Sequence, residues 1–186
     1  MPRLAAPLRF AVPAIVLAAL LSAHAPAAAA ADAVPVKKWT ASVCQAFGRW
    51  EERLMTLAAH DAPADPAAAR VATVKFLRGA VRATDKLATT LHKAGAPDVK
   101  GGPAIAAAFA RSLKALRADF ARAKKAAARL ATEDPGAFAT ASEALASDLE
   151  VSAVTFSTAL AKTADRHGSR ALDRAFARAK GCRAIT

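Results

Sequence analysis

The sequence predicts an all-α protein: an up-down-up-down four-helix bundle followed by a short C-terminal fifth helix. Alanine fills 56 of the 186 positions, tyrosine is absent, and strand-forming residues are scarce beside Ala, Leu, Arg and Lys. Four long segments carry apolar residues at spacings of three and four, which is the helical period. Short links containing Pro or Gly separate these segments, and similar lengths with short links are typical of an antiparallel bundle.

The first 31 residues have the order of a secretory signal peptide. Arg3 and Arg9 supply a positive start, an apolar run extends from Phe10 to Leu21, and an alanine-rich stretch ends at Ala31. That run is short for a membrane span, which needs about 20 residues. We therefore predict cleavage after Ala31, a secreted protein, and one domain over residues 32–186 without a transmembrane span. A retained N-terminal membrane anchor is the alternative.

The first helix follows from a continuous apolar stripe with steps of three and four residues: Trp39, Val43, Phe47, Trp50, Leu54 and Leu57. The two tryptophans lie on this stripe, so we expect them to anchor the core, with ligand stacking as the other reading.

The second and third helices are bounded by clear start and stop signals. Asp65-Pro66 places a capping acid before a proline at the first helical position. Gly95-Ala96-Pro97 ends the second helix, and Gly101-Gly102-Pro103 opens the third.

The fourth helix begins at a second Asp-Pro pair, Asp134-Pro135. The segment His167-Gly168-Ser169 breaks or kinks it. A fifth helix over about residues 170–180 should then turn Leu172 and Phe176 inward.

Cys44 and Cys182 are the only cysteines in the chain. Outside the cytosol, a single pair of cysteines favours one disulfide bond. The bundle topology supports this pairing, because it brings the start of the first helix and the end of the fourth to the same end of the molecule. Two free thiols and metal ligation are the alternatives.

Basic residues form two rows, in a chain of formal net charge +12. Four-residue spacing stacks side chains along one side of a helix. Such rows can bind phosphate-rich polymers or anionic lipid headgroups, although solvated surface is the simpler explanation. The candidate anion-binding residues are Arg111, Lys114, Arg122, Lys125 and Arg129 in the third helix, and Arg170, Arg174 and Arg178 in the fifth.

The motifs of the common enzyme classes do not occur in this sequence. There is no Gly-x-Ser-x-Gly elbow, phosphate loop, dinucleotide fingerprint or haem-attachment motif. Glu51 and Glu52 are adjacent, so in a helix they point about 100° apart and cannot converge on one substrate. We expect no catalytic residue, no metal site and no cofactor.

The order of several short features resembles small secreted proteins and lipoproteins of the actinobacterial type. The features are Trp39, Cys44 and Trp50 after the leader, Phe76-Leu77, the segment 84–91, Gly95-Ala96-Pro97-Asp98-Val99, Phe138 after an Asp-Pro turn, and a closing cysteine. The resemblance implies an envelope location and assigns no catalytic residue. Because the leader here has no cysteine, it does not imply a lipid anchor for this chain.

Besides a purely structural or oligomerising module that uses Val151 and Val154, two functions are consistent with this sequence. The first is a non-enzymatic binding or interaction module at the cell envelope, whose partner is an anionic polymer, a lipid surface or an envelope protein. Nucleic acid is disfavoured as a partner, because export would separate the protein from the nucleic acid of the cell. In addition, the sequence shows no evident exposed aromatic residues on which bases could stack. The second is a small-molecule-binding protein or enzyme with a pocket inside the bundle.

Overall fold

The structure is a computed structural model that describes residues 33–59, 63–179 and 182. It contains α1 (Val36–Ala58), α2 (Pro66–Ala94), α3 (Gly102–Ala127), α4 (Pro135–His167) and α5 (Arg170–Arg178). The all-α bundle with a short C-terminal helix is therefore confirmed. The predicted signal peptide, residues 1–31, lies outside the described residues.

Both Asp-Pro pairs start helices as predicted. The Asp65 carboxylate accepts a hydrogen bond from the backbone N–H of Ala68 at 2.7 Å. The Asp134 carboxylate accepts from the N–H groups of Gly136 and Ala137 at 2.8 and 3.1 Å. These bonds satisfy N–H groups that have no partner inside the helix.

Glycine is required where α2 turns into α3. Gly95 and Gly101 have φ angles of 71° and 82°, a region that residues with a Cβ rarely adopt. A Cβ on Gly102 would lie 1.9 Å from the carbonyl oxygen of Pro97. The turn is therefore too tight for a side chain at Gly102.

Consecutive helices pack on one another: α1 on α2, α2 on α3 and α3 on α4, while α5 packs on α1. The Trp39 indole, near the start of α1, donates a hydrogen bond to the Gly95 carbonyl beyond the end of α2, at 3.0 Å. Arg70, near the start of α2, donates to the carbonyl of Leu130 beyond α3 at 3.0 Å. The start of α1 thus lies beside the end of α2, and the start of α2 lies beside the segment that follows α3.

The interior consists of two apolar clusters that share partly buried rings. One cluster surrounds Trp39, Phe47 and Leu113 and includes Leu172 from α5. The other surrounds Leu77, Leu116 and Phe120. Trp50 and Phe156 pack against both clusters, so these two rings lie where the halves of the core meet.

Cys44 and Cys182 form the predicted disulfide bond. Their Cα atoms are 4.9 Å apart, within the range that a disulfide bond spans, and both residues are buried. The bond ties the segment after α5 to the middle of α1. Ser169 caps α5 by accepting a hydrogen bond from the N–H of Leu172, and Leu172 is buried, as predicted.

Candidate functional site

An apolar cavity of about 460 Å³ lies between α1, α4 and α5. Its walls are largely aromatic and aliphatic, and α3 contributes to its floor. The residues that line it include Val43, Phe47, Trp50, Ile105, Phe109, Phe156, Leu160, Leu172 and Phe176. We call this space the aromatic cavity. Its volume lies within the range of ordinary small-molecule sites, and its lining has the apolar character of such sites.

Bulky rings line the boundary between α1 and α4. The Phe47 and Phe156 rings have centroids 6.3 Å apart, and those of Trp50 and Phe156 are 6.4 Å apart. On the other side, Phe109 meets Phe47 edge-to-face at 6.1 Å. Helix α5 then packs over α1, where Phe176 lies 6.2 Å from Trp39. These contacts fix the walls in a pre-formed arrangement.

The charged residues that line the aromatic cavity are both acidic. Glu51 comes from α1 and Asp173 from the first turn of α5, and both are exposed, so they lie where the cavity meets solvent. Ser157 and Thr163 supply hydroxyl groups, which already donate hydrogen bonds to the carbonyls of Val154 and Ala159, at 2.9 and 2.8 Å. No Lys or Arg of the described residues lines this cavity, although the chain has 27 of them.

A second concave surface lies between the outer faces of α1 and α2, with a volume of about 1000 Å³. Six cationic side chains line it beside a single acid, Glu52; all seven are exposed. We call this surface the basic groove. Its cations are Arg49 and Arg53 from α1, and Lys75, Arg78, Arg82 and Lys86 from α2.

The cations of the basic groove are not neutralised by neighbouring acids in the part of the chain that the structure describes. The two salt bridges there join Arg117 to Asp85, at 2.9 Å, and Arg122 to Asp119. Neither involves a residue that lines the groove. The groove therefore presents a concentration of positive charge to solvent.

The basic rows predicted from the sequence lie on other surfaces. Every one of the eight predicted side chains is exposed, but Arg122 is paired with Asp119. Arg129 lies in the turn after α3, not in the helix as predicted, because α3 ends at Ala127. The other four residues of the α3 row face away from the buried face of the helix, which carries Leu116 and Phe120. The α5 row belongs to a helix that packs on α1. The lining of the basic groove contains none of these eight residues.

Sequence analysis did not predict the basic groove, although the row of cations that α2 contributes to it can be recognised in the sequence. Lys75, Arg78, Arg82 and Lys86 follow one another at spacings of three and four, which places them along one side of α2. The contribution of Arg49 and Arg53 depends on how α1 and α2 are aligned, and the sequence does not show that alignment.

Glu51 and Glu52 face different sites, as their separation around the helix requires. Glu51 lines the aromatic cavity, and Glu52 lines the basic groove. Trp50 lines both, and its indole donates a hydrogen bond to the Thr84 hydroxyl at 3.2 Å. Trp39 is buried, which agrees with an anchoring role.

Comparison of the chain with protein-family models, with curated proteins and with solved structures finds no match in any of the three. None of the described helices has an apolar stretch long enough to cross a bilayer.

Proposed function

We propose that the protein is an exported, non-enzymatic binding protein that holds a phosphate-rich anionic polymer of the cell envelope in the basic groove. The observation that carries the proposal is the lining of that groove, where six cations accompany one acid. Arginine and lysine bind phosphate through charge-assisted hydrogen bonds, and arginine can do so through two bonds at once.

The shape of the groove favours a chain over a flat surface. From Lys75 to Lys86 the cations of α2 extend along about 16 Å of helix, at a rise of about 1.5 Å per residue. Arg49 and Arg53 face them from α1. A flexible polymer can enter the space between the two helices, whereas a bilayer meets convex surfaces such as the α3 row first.

An extracytoplasmic location supports the choice of an envelope polymer. The disulfide between Cys44 and Cys182 is of a kind that persists in oxidising compartments. The signal-peptide order of residues 1–31 and the resemblance to small secreted proteins also support an extracytoplasmic location. Mass spectrometry of protein collected from the culture medium should show a chain that begins at Asp32.

The test measures binding of fluorescently labelled polyphosphate by anisotropy. We expect affinity to fall by about 2.5 orders of magnitude between about 50 and 200 mM salt if all six cations contact phosphate, by analogy with single-stranded nucleic acid. The groove variant Arg78→Glu/Arg82→Glu should lose at least about tenfold in affinity.

The matched control is Arg111→Glu/Lys114→Glu on α3, which changes the net charge by the same amount. We expect a loss of only about two- to threefold from this variant, through the long-range field alone. Equal losses in the two variants would show that net charge, rather than the groove, governs binding. Vesicles rich in phosphatidylglycerol test the lipid alternative: stronger dependence on the α3 pair than on the groove pair would favour a membrane.

A further inference from the structure

We infer that the aromatic cavity is a binding site for a hydrophobic cation, an amphiphile with an apolar tail and a single positive head. This site is separate from the basic groove and does not depend on the function proposed for it. The inference rests on three features of the cavity: its volume, its ring-lined walls and the sign of the charge at its opening.

The volume and lining define the apolar part of the ligand. About 460 Å³ is enough for a medium-length alkyl chain or a small ring system. The walls bring together side chains from α1, α3, α4 and α5, and the pairs of rings around Phe47 are already in contact. A ligand that enters this space exchanges water for carbon surface, which is the main source of affinity for an apolar ligand.

The opening defines the charge of the head group. Glu51 and Asp173 line the cavity from two different helices, Glu51 from α1 and Asp173 from α5, and both are exposed. Neither forms a salt bridge among the described residues. Basic residues outnumber acids by 27 to 15 in the chain, so a lining with two acids and no base is opposite in sign to the molecule as a whole.

The aromatic rings add to this preference for a cation. A cation near the face of an indole or phenyl ring is attracted by its negative quadrupole. Trp50 is adjacent in sequence to Glu51, and both line the cavity. A cationic head group bound in the cavity therefore has both carboxylates and aromatic rings in the lining around it.

Three amphiphiles with the same tail separate the contribution of charge from that of hydrophobicity. We would titrate decyltrimethylammonium, 1-decanol and decyl sulfate, each below its aggregation limit, and follow binding by calorimetry. The expected order of affinity is cation, then alcohol, then sulfate. The net charge of +12 favours the sulfate everywhere else on the protein, so equal or tighter binding of the sulfate to the cavity would overturn the inference.

Substitutions then locate the site. Glu51→Gln and Asp173→Asn should each weaken binding of the cation about two- to fivefold, and the double variant about tenfold. Glu52→Gln is the matched control, because its carboxylate faces the basic groove, and its affinity for the cation should not change. Unchanged affinity in the double variant would refute the role of the two carboxylates.

The alcohol distinguishes a charge effect from a structural one. Asp173 also lies in the first turn of α5, where a negative charge stabilises a helix. If Asp173→Asn acted only by loosening the packing of α5, binding of 1-decanol would weaken as well. We expect the affinity for 1-decanol to stay the same in this variant. Ala161→Phe, an exposed position on the α4 wall, should block all cavity binding. Tight binding of the cation to this variant, with its helicity intact by circular dichroism, would place the ligand elsewhere.

Discussion

Replacing both cysteines with alanine is expected to remove about 5 kcal/mol from the free energy of unfolding. The bond joins residues that are 138 positions apart, so it closes a loop around nearly the whole bundle. In the chain-entropy relation, the stabilisation grows with the logarithm of loop length, and a loop of this size gives about 5 kcal/mol. The effect arises in the unfolded chain, because the bond restricts the conformations that this chain can adopt.

The assay is equilibrium unfolding in urea, followed by far-UV circular dichroism. The oxidised protein is compared with the reduced protein and with Cys44→Ala/Cys182→Ala. With a dependence of about 2–3 kcal/mol per molar urea, the midpoint should fall by about 2 M. The reduced protein and the double variant should unfold at similar urea concentrations.

The single variants, measured under reducing conditions, separate loop closure from local packing. Cys44 and Cys182 are each only 1% exposed, so truncation of either to alanine also removes packing contacts. If the bond acts through the unfolded chain, Cys182→Ala should be nearly as unstable as Cys44→Ala. A loss under about 1 kcal/mol on reduction, or instability confined to Cys44→Ala, would refute the loop-closure argument.

Four further substitutions test the fold in the same urea assay. Gly48→Ala should raise stability by about 0.5–1 kcal/mol, because Gly48 is inside α1 and an added Cβ meets no atom within 4 Å. Gly102→Ala should lower it by about 1–3 kcal/mol, because its Cβ would overlap the carbonyl oxygen of Pro97; stability equal to wild type would contradict the tight turn. Asp134→Ala removes the acceptor for two N–H groups of α4 and should lower the free energy of unfolding by about 1 kcal/mol. An unchanged midpoint would mean that the cap does not contribute to stability. Leu113→Ala, at a site 1% exposed, should cost about 2–5 kcal/mol, and a loss below 1 kcal/mol would show that the core collapses around the gap.

The features that sequence analysis predicted are mainly those that depend on residues close together in the sequence. Asp65 and Asp134 cap the helices that follow them, because a carboxylate needs only the next three residues to find its N–H partners. Gly95 ends α2 for a similarly local reason, its positive φ. The disulfide was also predictable, although its partners are far apart, because the chain contains no other cysteine with which either could pair.

The two concave surfaces could not be predicted in this way, because each depends on the distance between helices. The rings of Phe47 and Phe156 appear in the sequence as members of apolar stripes, and nothing in a stripe shows that an unfilled volume lies beside them. Likewise, Arg49 and Arg82 become neighbours in one groove only after α1 and α2 have packed with a particular alignment. The sequence did indicate the cationic character of the surface, but it pointed to α3 and α5.

Trp50 lines both concave surfaces, so one side chain separates two compartments, a cavity whose charged residues are acidic and a groove whose charged residues are mainly basic. An occupant of one compartment that displaces this ring pushes it into the other compartment and takes space from it, so two occupants that never touch would still be mutually antagonistic. Thermodynamic reciprocity then demands that each lowers the affinity of the other by an identical factor. Titrating the amphiphile with and without saturating polyphosphate, and then the reverse, would measure that factor twice.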